Sequence, residues 1–303
     1  MIHIITGQTA TGKTAYALKL AKKLDGELIN ADSRQIYKGL DIITGKDLGI
    51  TDGSFINHQT CTYDVGYYPL KIGSRLWLYD ILAPTKPFSA FEYVQLATQV
   101  IEDIEKRGKT PIIVGGTFFY INQLLYGTSE FQVEPDEELR TQLADKPIED
   151  LQALLKDSNK QLFESLNNSE KHNPQRLIRR IEIEKAESKR TPKTQSKRWH
   201  ENDFSLIGFR YKNKEDLRIR ITDRVEKRLE DGALDEVKKL LANGYSEDCP
   251  GLHTIGYIQI FDYFNGLKNF ETMKEDWITK EIQYAKRQMT LMKKDQHIRW
   301  ETV

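Results

Sequence analysis

Apolar residues gather at the start of the chain, where Ile2, Ile4 and Ile5 read as a buried strand that ends after Thr6 in a glycine-containing turn. From residue 13 to 24 the period changes, and Ala17, Leu18, Leu20, Ala21 and Leu24 recur at helical spacing. Residues 27–31 return to strand character and stop at Asp32. Strand, turn, helix and strand in that order predict a parallel α/β sheet flanked by helices. Further strands are predicted over 76–81, 110–114 and 204–209, with 67–72 a weaker candidate. Helices are predicted over 90–106, with Ser89 as N-cap, and over 117–125. One long helical pattern runs over 214–243 and closes on Asn243-Gly244, a favourable C-terminal pair. The remainder reads as mostly helical to Trp300, whereas residues 48–75 show no clear period.

Composition shifts near residue 132. From there to 203 the chain is rich in Lys, Glu, Asn and Gln and poor in strand formers, which predicts a helical insertion. The expected organisation is a core of 1–131 and 204–303 with an inserted helical domain of 132–203, and there is no internal repeat. Apolar residues make up 39% and charged residues 30%, a globular balance with enough apolar material for a core. The formal net charge is zero, so a nucleic-acid surface has to come from local clustering. Residues 171–199 supply such a cluster, with ten Lys and Arg against three Glu. A solvated helix face would look the same. Lys286, Arg287, Lys293 and Lys294 form a second basic group. Cys61 and Cys249 make no C-x-x-C pair, which argues against a disulfide framework or a cysteine zinc site. No charged segment followed by a long apolar stretch opens the chain, and no run approaches the ~18 apolar residues of a membrane span. The expected compartment is the cytoplasm.

The first turn carries the chemistry. Gly7-Gln8-Thr9-Ala10-Thr11-Gly12-Lys13-Thr14 meets every defined position of the P-loop pattern, between a strand and a helix. In such a loop successive backbone N–H groups point at phosphate oxygens, and the helix N-terminus adds positive potential. Lys13 supplies a point charge, and the Thr14 hydroxyl suits Mg²⁺. A P-loop does not name a reaction, because it serves kinases, ATPases and GTPases alike. Asp32 follows the second strand and faces the same crevice in a doubly wound fold. It suits a general base or a Mg²⁺ ligand, or a plain helix cap. Asp80, at the end of the predicted 76–81 strand, would be the Walker-B aspartate of a small-molecule kinase.

Together these segments resemble the tRNA dimethylallyltransferase family. The loop GQTATGKT and the following DSRQIY are similar to its first two motifs. Gly115-Gly116-Thr117 with Tyr120, Asn173-Pro174-Gln175-Arg176-Leu177-Ile178-Arg179-Arg180, the Arg220 to Val237 segment, Gly256-Tyr257 with Gln259, and Ala285-Lys286-Arg287-Gln288 resemble the rest, in the family's order. The resemblance implies a P-loop NTPase-like fold with an inserted tRNA-binding arm. It also implies transfer of a dimethylallyl group from dimethylallyl diphosphate to N6 of the adenosine 3′ of a tRNA anticodon, with Mg²⁺ assisting. It implies that Gly7, Thr9, Ala10, Thr11, Gly12, Lys13, Thr14, Arg220 and Arg224 hold the diphosphate. Asp32 would accept the N6 proton, and Thr117 would line the channel where adenine meets donor. Contacts to the tRNA anticodon stem-loop are implied at Asp32, Ser33, Arg34, Gln35, Thr117, Arg140, Gln175, Arg176, Leu177, Ile178 and Arg179. They are also implied at His253, Thr254, Ile255, Gly256 and Tyr257, on a monomer. The chain departs from the family pattern at Gln8, Thr11, Phe118-Phe119 and Ile258, and lacks its His pair. A free-adenine-nucleotide isopentenyltransferase would share the P-loop and the aspartate. A non-catalytic RNA-binding protein would leave both without a task.

Overall fold

A computed structural model describes residues 1–59, 64–127, 133–187 and 199–303. In chain order the elements are β1 (Ile2–Gly7), α1 (Lys13–Leu24), β2 (Gly26–Asn30), β3 (Ile56–Gln59), β4 (Asp64–Pro69), β5 (Arg75–Trp77), α2 (Ala90–Lys106), β6 (Thr110–Val114) and α3 (Phe118–Tyr126). Five helices follow: α4 (Glu137–Leu143), α5 (Ile148–Ser158), α6 (Lys160–Ser165), α7 (Asn168–Lys171) and α8 (Pro174–Glu187). The chain then runs through β7 (Phe204–Arg210), α9 (Lys214–Glu230), α10 (Ala233–Ala242), α11 (Tyr257–Phe264), α12 (Phe270–Met292) and β8 (Arg299–Thr302). It forms two compact units, one of Met1–Leu125 with Trp199–Val303 and the other of Tyr126–Arg198. No helix among the described residues is long and apolar enough to cross a membrane.

The first unit is built on an eight-stranded sheet in the order β3-β4-β5-β2-β6-β1-β7-β8. Its strands are parallel from β5 to β8, and only the β3–β4 hairpin at one edge introduces antiparallel pairs. Ile4, Ile5, Leu28, Ile29, Ile112 and Ile113 are fully buried, as expected of strands covered on both faces. Because β1 lies between β6 and β7, the P-loop at its C-terminal end sits mid-sheet, where α/β proteins bind ligands. Ser89 caps α2 through a full capping box with Glu92.

Four expectations change. The 76–81 strand stops at Trp77, because Leu78 and Asp80 take left-handed backbone at φ 65° and 54°. Each has a clamp: the Asn30 side chain donates to the Leu78 carbonyl at 3.2 Å, and Asp80 accepts from Lys46 and from the Tyr68 hydroxyl. The 214–243 pattern is two helices, broken at Gly232, whose φ of 102° no right-handed helix accommodates. The Trp300 region is strand β8, paired with β7. Residues 48–75 hold the added hairpin, whose β4 starts and ends earlier than the 67–72 pattern suggests.

In the second unit, α4, α5, α6 and α8 enclose a small core of Leu139, Leu151, Leu155, Phe163, Leu177 and Ile181. Glu182 is buried beside it and fully matched. Arg140 donates from Nε at 2.6 Å, Arg179 from Nη1 at 3.0 Å, and the Asp136 backbone N–H at 3.1 Å.

Candidate active site

The P-loop is shaped by β7 as well as by its own glycines. Gly7 has φ 139°, and a Cβ there would lie 2.3 Å from the Phe209 carbonyl oxygen, so only glycine lets β1 approach this closely. The Gln8 N–H donates to that carbonyl at 3.0 Å, and the Gln8 side-chain oxygen accepts from the Tyr211 N–H at 3.0 Å. The Tyr211 hydroxyl donates to the Ala10 carbonyl and holds Ala10 at φ 59°. Lys13 turns its ammonium into the loop, donating to the carbonyls of Gln8 at 2.7 Å and Gly7 at 3.1 Å. Burial and then Arg224 pull the Lys13 pKa down to about 7, with Asp32 opposing. Arg224 is lowered to about 10, mainly by burial and then by Arg228. Both cations are partly desolvated and raise each other's cost of charge, which a bound anion would relieve.

Asp32 is held by its neighbours on both sides. The buried Asn30 side chain accepts from the Asp32 N–H at 3.0 Å and donates to the Asp32 carbonyl at 3.1 Å. The Arg34 N–H donates to Asp32 Oδ1 at 2.9 Å, closing an Asx-type turn. Next to it, the Ser33 N–H donates to the Thr117 hydroxyl at 3.0 Å, which donates on to the Ser33 hydroxyl at 3.2 Å. Gln288 on α12 donates to the Gly116 carbonyl at 2.8 Å, tying the start of α3 to the C-terminal helix.

One cavity of about 300 Å³ brings several of these parts together; Thr9, Asp32, Arg34, Arg224, His253 and Tyr284 line it, whereas Lys13, Thr14 and Thr117 are not among its lining residues. Ser33, Thr254, Ile255 and Arg287 also reach it. A carboxylate, a P-loop and an arginine are thus set around a single concave site, suited to removing a proton on one side and receiving an anion on the other. Arg220 lines a neighbouring cavity that also contains Ala10 and Arg224.

Other expected site residues are engaged differently. Gln35 spends its amide on the carbonyls of Thr44 and Gly45, at 3.3 and 3.1 Å. Tyr257 is 0% exposed with its hydroxyl on Glu236 at 2.6 Å, so its ring has no face for a base. Burial raises its pKa well above the tyrosine norm. Leu177 and Ile178 belong to the core of the second unit, so their side chains cannot read an RNA. Of their segment, Gln175 and Arg176 are exposed, whereas Arg140 and Arg179 clamp Glu182. Tyr120 stacks on Tyr93 with ring centroids 4.5 Å apart, and Trp300 lies under the Arg210 guanidinium. Asp80 is locked to Lys46, whose ammonium is fully buried and also bonds the Tyr37 carbonyl at 2.6 Å and Asp41 at 2.8 Å. That pairing removes Asp80 from the role of a Walker-B metal ligand. Lys189, Arg190, Lys193, Lys197, Arg198 and Cys61 lie outside the described residues.

Sequence reasoning missed Asn30, Tyr284 and Glu281. Tyr284 is half-buried with a pKa raised to about 12, chiefly by desolvation and next by Asp32, while hydrogen bonds with Thr117 and Gln288 act the other way. Glu281 bonds Arg228 at 2.9 Å, which orders the arginine behind Arg224. Both lie on one face of α12, four and seven positions before Gln288, a helical spacing that the motif pattern alone does not reveal.

A family model described as IPP transferase matches residues 73–295, and one described as isopentenyl transferase matches residues 1–50. The tRNA dimethylallyltransferase of Anoxybacillus flavithermus is 34% identical over 311 residues, covering 99% of this chain and 89% of its own. That of Clostridioides difficile is 33% identical, covering 98% and 90%. Among solved structures, the full-length tRNA isopentenylpyrophosphate transferase of Bacillus halodurans matches with a TM-score of 0.67 at 29% identity, over 99% of this chain and 89% of that one. A eukaryotic dimethylallyltransferase acting on tRNA shares the fold, with a TM-score of 0.74 at 24% identity over 99% of this chain and 73% of that one.

Proposed function

The chain belongs to the IPP transferase family, and from that premise we propose that it is a tRNA dimethylallyltransferase, moving a dimethylallyl group from dimethylallyl diphosphate to N6 of the adenosine 3′-adjacent to the tRNA anticodon. The observation that carries the reading is the single cavity in which Asp32 meets Thr9 of the P-loop and Arg224. The new bond joins N6 to C1 of the prenyl chain, and the C1–O bond to diphosphate breaks. An exocyclic adenine amine is a weak nucleophile, so Asp32 accepts its proton as positive charge develops. The departing diphosphate is received by the P-loop N–H groups, by Arg224, and by Lys13, whose ammonium form the bound anion favours. The adenosine leaves its stack to reach the cavity, a step usual for chemistry on a base. Thr117 and Ser33 position the wall beside Asp32. Thr14 and Asp32 are the residues that would hold Mg²⁺, whose part is to neutralise diphosphate oxygens. A site of few protein oxygens suits an ion that keeps waters and substrate phosphates as its other ligands. The reading keeps the protein a cytoplasmic monomer, with the second unit as its tRNA-binding arm.

The test is to incubate the protein with labelled dimethylallyl diphosphate, unmodified tRNA, AMP and ATP. Label should enter tRNA alone. Comparable label in AMP would instead mark a free-nucleotide isopentenyltransferase, and γ-phosphoryl transfer without prenyl transfer would mark a kinase.

Two further outcomes are expected. Lys13 has a depressed pKa in the free protein, and a bound anion raises it, so the complex holds more protons. Pyrophosphate binding at pH 7.5 should therefore take up roughly half a proton or more, and affinity should fall as pH rises from about 7 to 9. Calorimetry in buffers of different ionisation enthalpy reads the uptake; none would mean that Lys13 does not meet the diphosphate. On the arm, Arg176→Ala should reduce the slope of log K against log salt for tRNA binding by about 1, with unchanged melting. Arg179→Ala should destabilise the arm by roughly 1–3 kcal/mol, because Glu182 stays buried with one cation fewer. Wild-type melting of Arg179→Ala would remove the clamp.

A further inference from the structure

The P-loop residue Gln8 also faces a separate cavity of about 680 Å³. Five cations line it, Arg210 at the end of β7, Lys212 in the turn beyond, Lys214 at the start of α9, Lys286 on α12 and Lys293 just past its end; no carboxylate does. None of the five forms an ion pair among the described residues, whereas Lys46 pairs with Asp80, Arg140 with Glu182 and Arg228 with Glu281. Arg210 stacks on Trp300. In a chain of zero net charge, five unpaired like charges around one groove repel each other and raise a local positive potential. Such a potential is relieved by a polyanion.

We infer that this groove binds backbone phosphates of the tRNA outside the reacting nucleotide, an inference that rests on the tRNA reading above. Lys286 and the C-cap Lys293 stand two helical turns apart, about 10 Å along the helix axis, a spacing suited to successive phosphates of a chain. Lys212, in the turn after β7, and Lys214, at the start of α9, continue the row. Leu217 and Met289 supply an apolar floor, and no aromatic ring other than Tyr211 offers a base a platform. Groove and P-loop share parts: Tyr211 lines the groove and bonds both Gln8 and Ala10, so RNA seated there bears on the loop that holds the diphosphate.

The test compares two triple variants of equal charge change in tRNA binding across a salt series. One is Lys212→Glu, Lys214→Glu and Lys293→Glu in the groove. The other is Lys19→Glu, Lys22→Glu and Lys23→Glu on exposed positions of α1. The groove variant should lose affinity at least about tenfold at 0.1 M salt, with the slope of log K against log salt smaller by about 2 to 3. The α1 variant should stay within about twofold. A groove triple with Gln in place of Glu, melting like the wild type, should show a smaller loss in the same direction. Equal losses in groove and α1 variants, or an unchanged slope, would overturn the groove while leaving prenyl transfer intact. Loss of ATP binding with tRNA binding preserved would assign the groove to a free nucleotide and overturn it as well. Failure of the wild type to bind tRNA would overturn both this inference and the reading beneath it.

Discussion

Asp32→Asn is expected to slow prenyl transfer to tRNA by about three orders of magnitude, with tRNA affinity within about threefold of wild type. Asparagine keeps the size of the side chain and an oxygen for the Arg34 N–H, so the turn from Asn30 to Arg34 survives. What disappears is the carboxylate proposed to accept the N6 proton. Single-turnover transfer under saturating donor separates the two effects, and a filter-binding titration with tRNA gives the affinity. Turnover within tenfold of wild type would mean that the proton leaves by another route. The companion Asn30→Ala should give a milder defect, because it frees the carboxylate's backbone while leaving its chemistry; the defect should fall on kcat with KM for tRNA nearly unchanged.

Lys13→Ala comes second. The expected loss in kcat/KM for the prenyl donor is about 10²–10³, equivalent to roughly 3–4 kcal/mol of transition-state stabilisation. Lys13 also bonds the carbonyls of Gly7 and Gln8, so the loop loses two internal contacts along with its charge. Lys13→Met, which keeps the stem, tests whether the charge is what matters. tRNA affinity measured without donor should not change in either variant. If both variants keep the donor's kcat/KM within about threefold, the diphosphate is not held at this loop.

Much of this site could be read from the sequence, for definite reasons. The P-loop is a contiguous run in which each residue's role is local, so spacing alone placed Gly7 to Thr14 on the turn between β1 and α1. The strands 110–114 and 204–209 were visible because both faces of a parallel sheet are buried and apolar runs mark them. Burial, by contrast, was not legible in the motif segments. Leu177 and Ile178 sit between functional-looking neighbours, yet helical geometry turns them into the arm's core. Tyr257 follows a motif glycine, but α11 points it inward to Glu236. Asp80 ended an apolar run as a Walker-B aspartate would, but its fate was decided by Lys46, thirty-four positions earlier. The 48–75 stretch had no period because its strands β3 and β4 are short, paired antiparallel at the sheet edge and of mixed exposure. The break at Gly232 was hidden because the apolar spacing continues across it.

The pairing of β1 with β7 joins positions about two hundred residues apart, and the P-loop depends on it through the bonds from Gln8 to Phe209 and from Tyr211 to Ala10. During synthesis the first strand therefore leaves the ribosome long before its partner exists. The P-loop turn cannot take its final shape until residue 211 has emerged. Closing so long a loop is slow, and an unpaired central strand is prone to mispair while it waits. A nascent chain halted after α3 carries the complete P-loop sequence without the strand that shapes it. Pyrophosphate should protect such a fragment from protease poorly, and the full-length chain well.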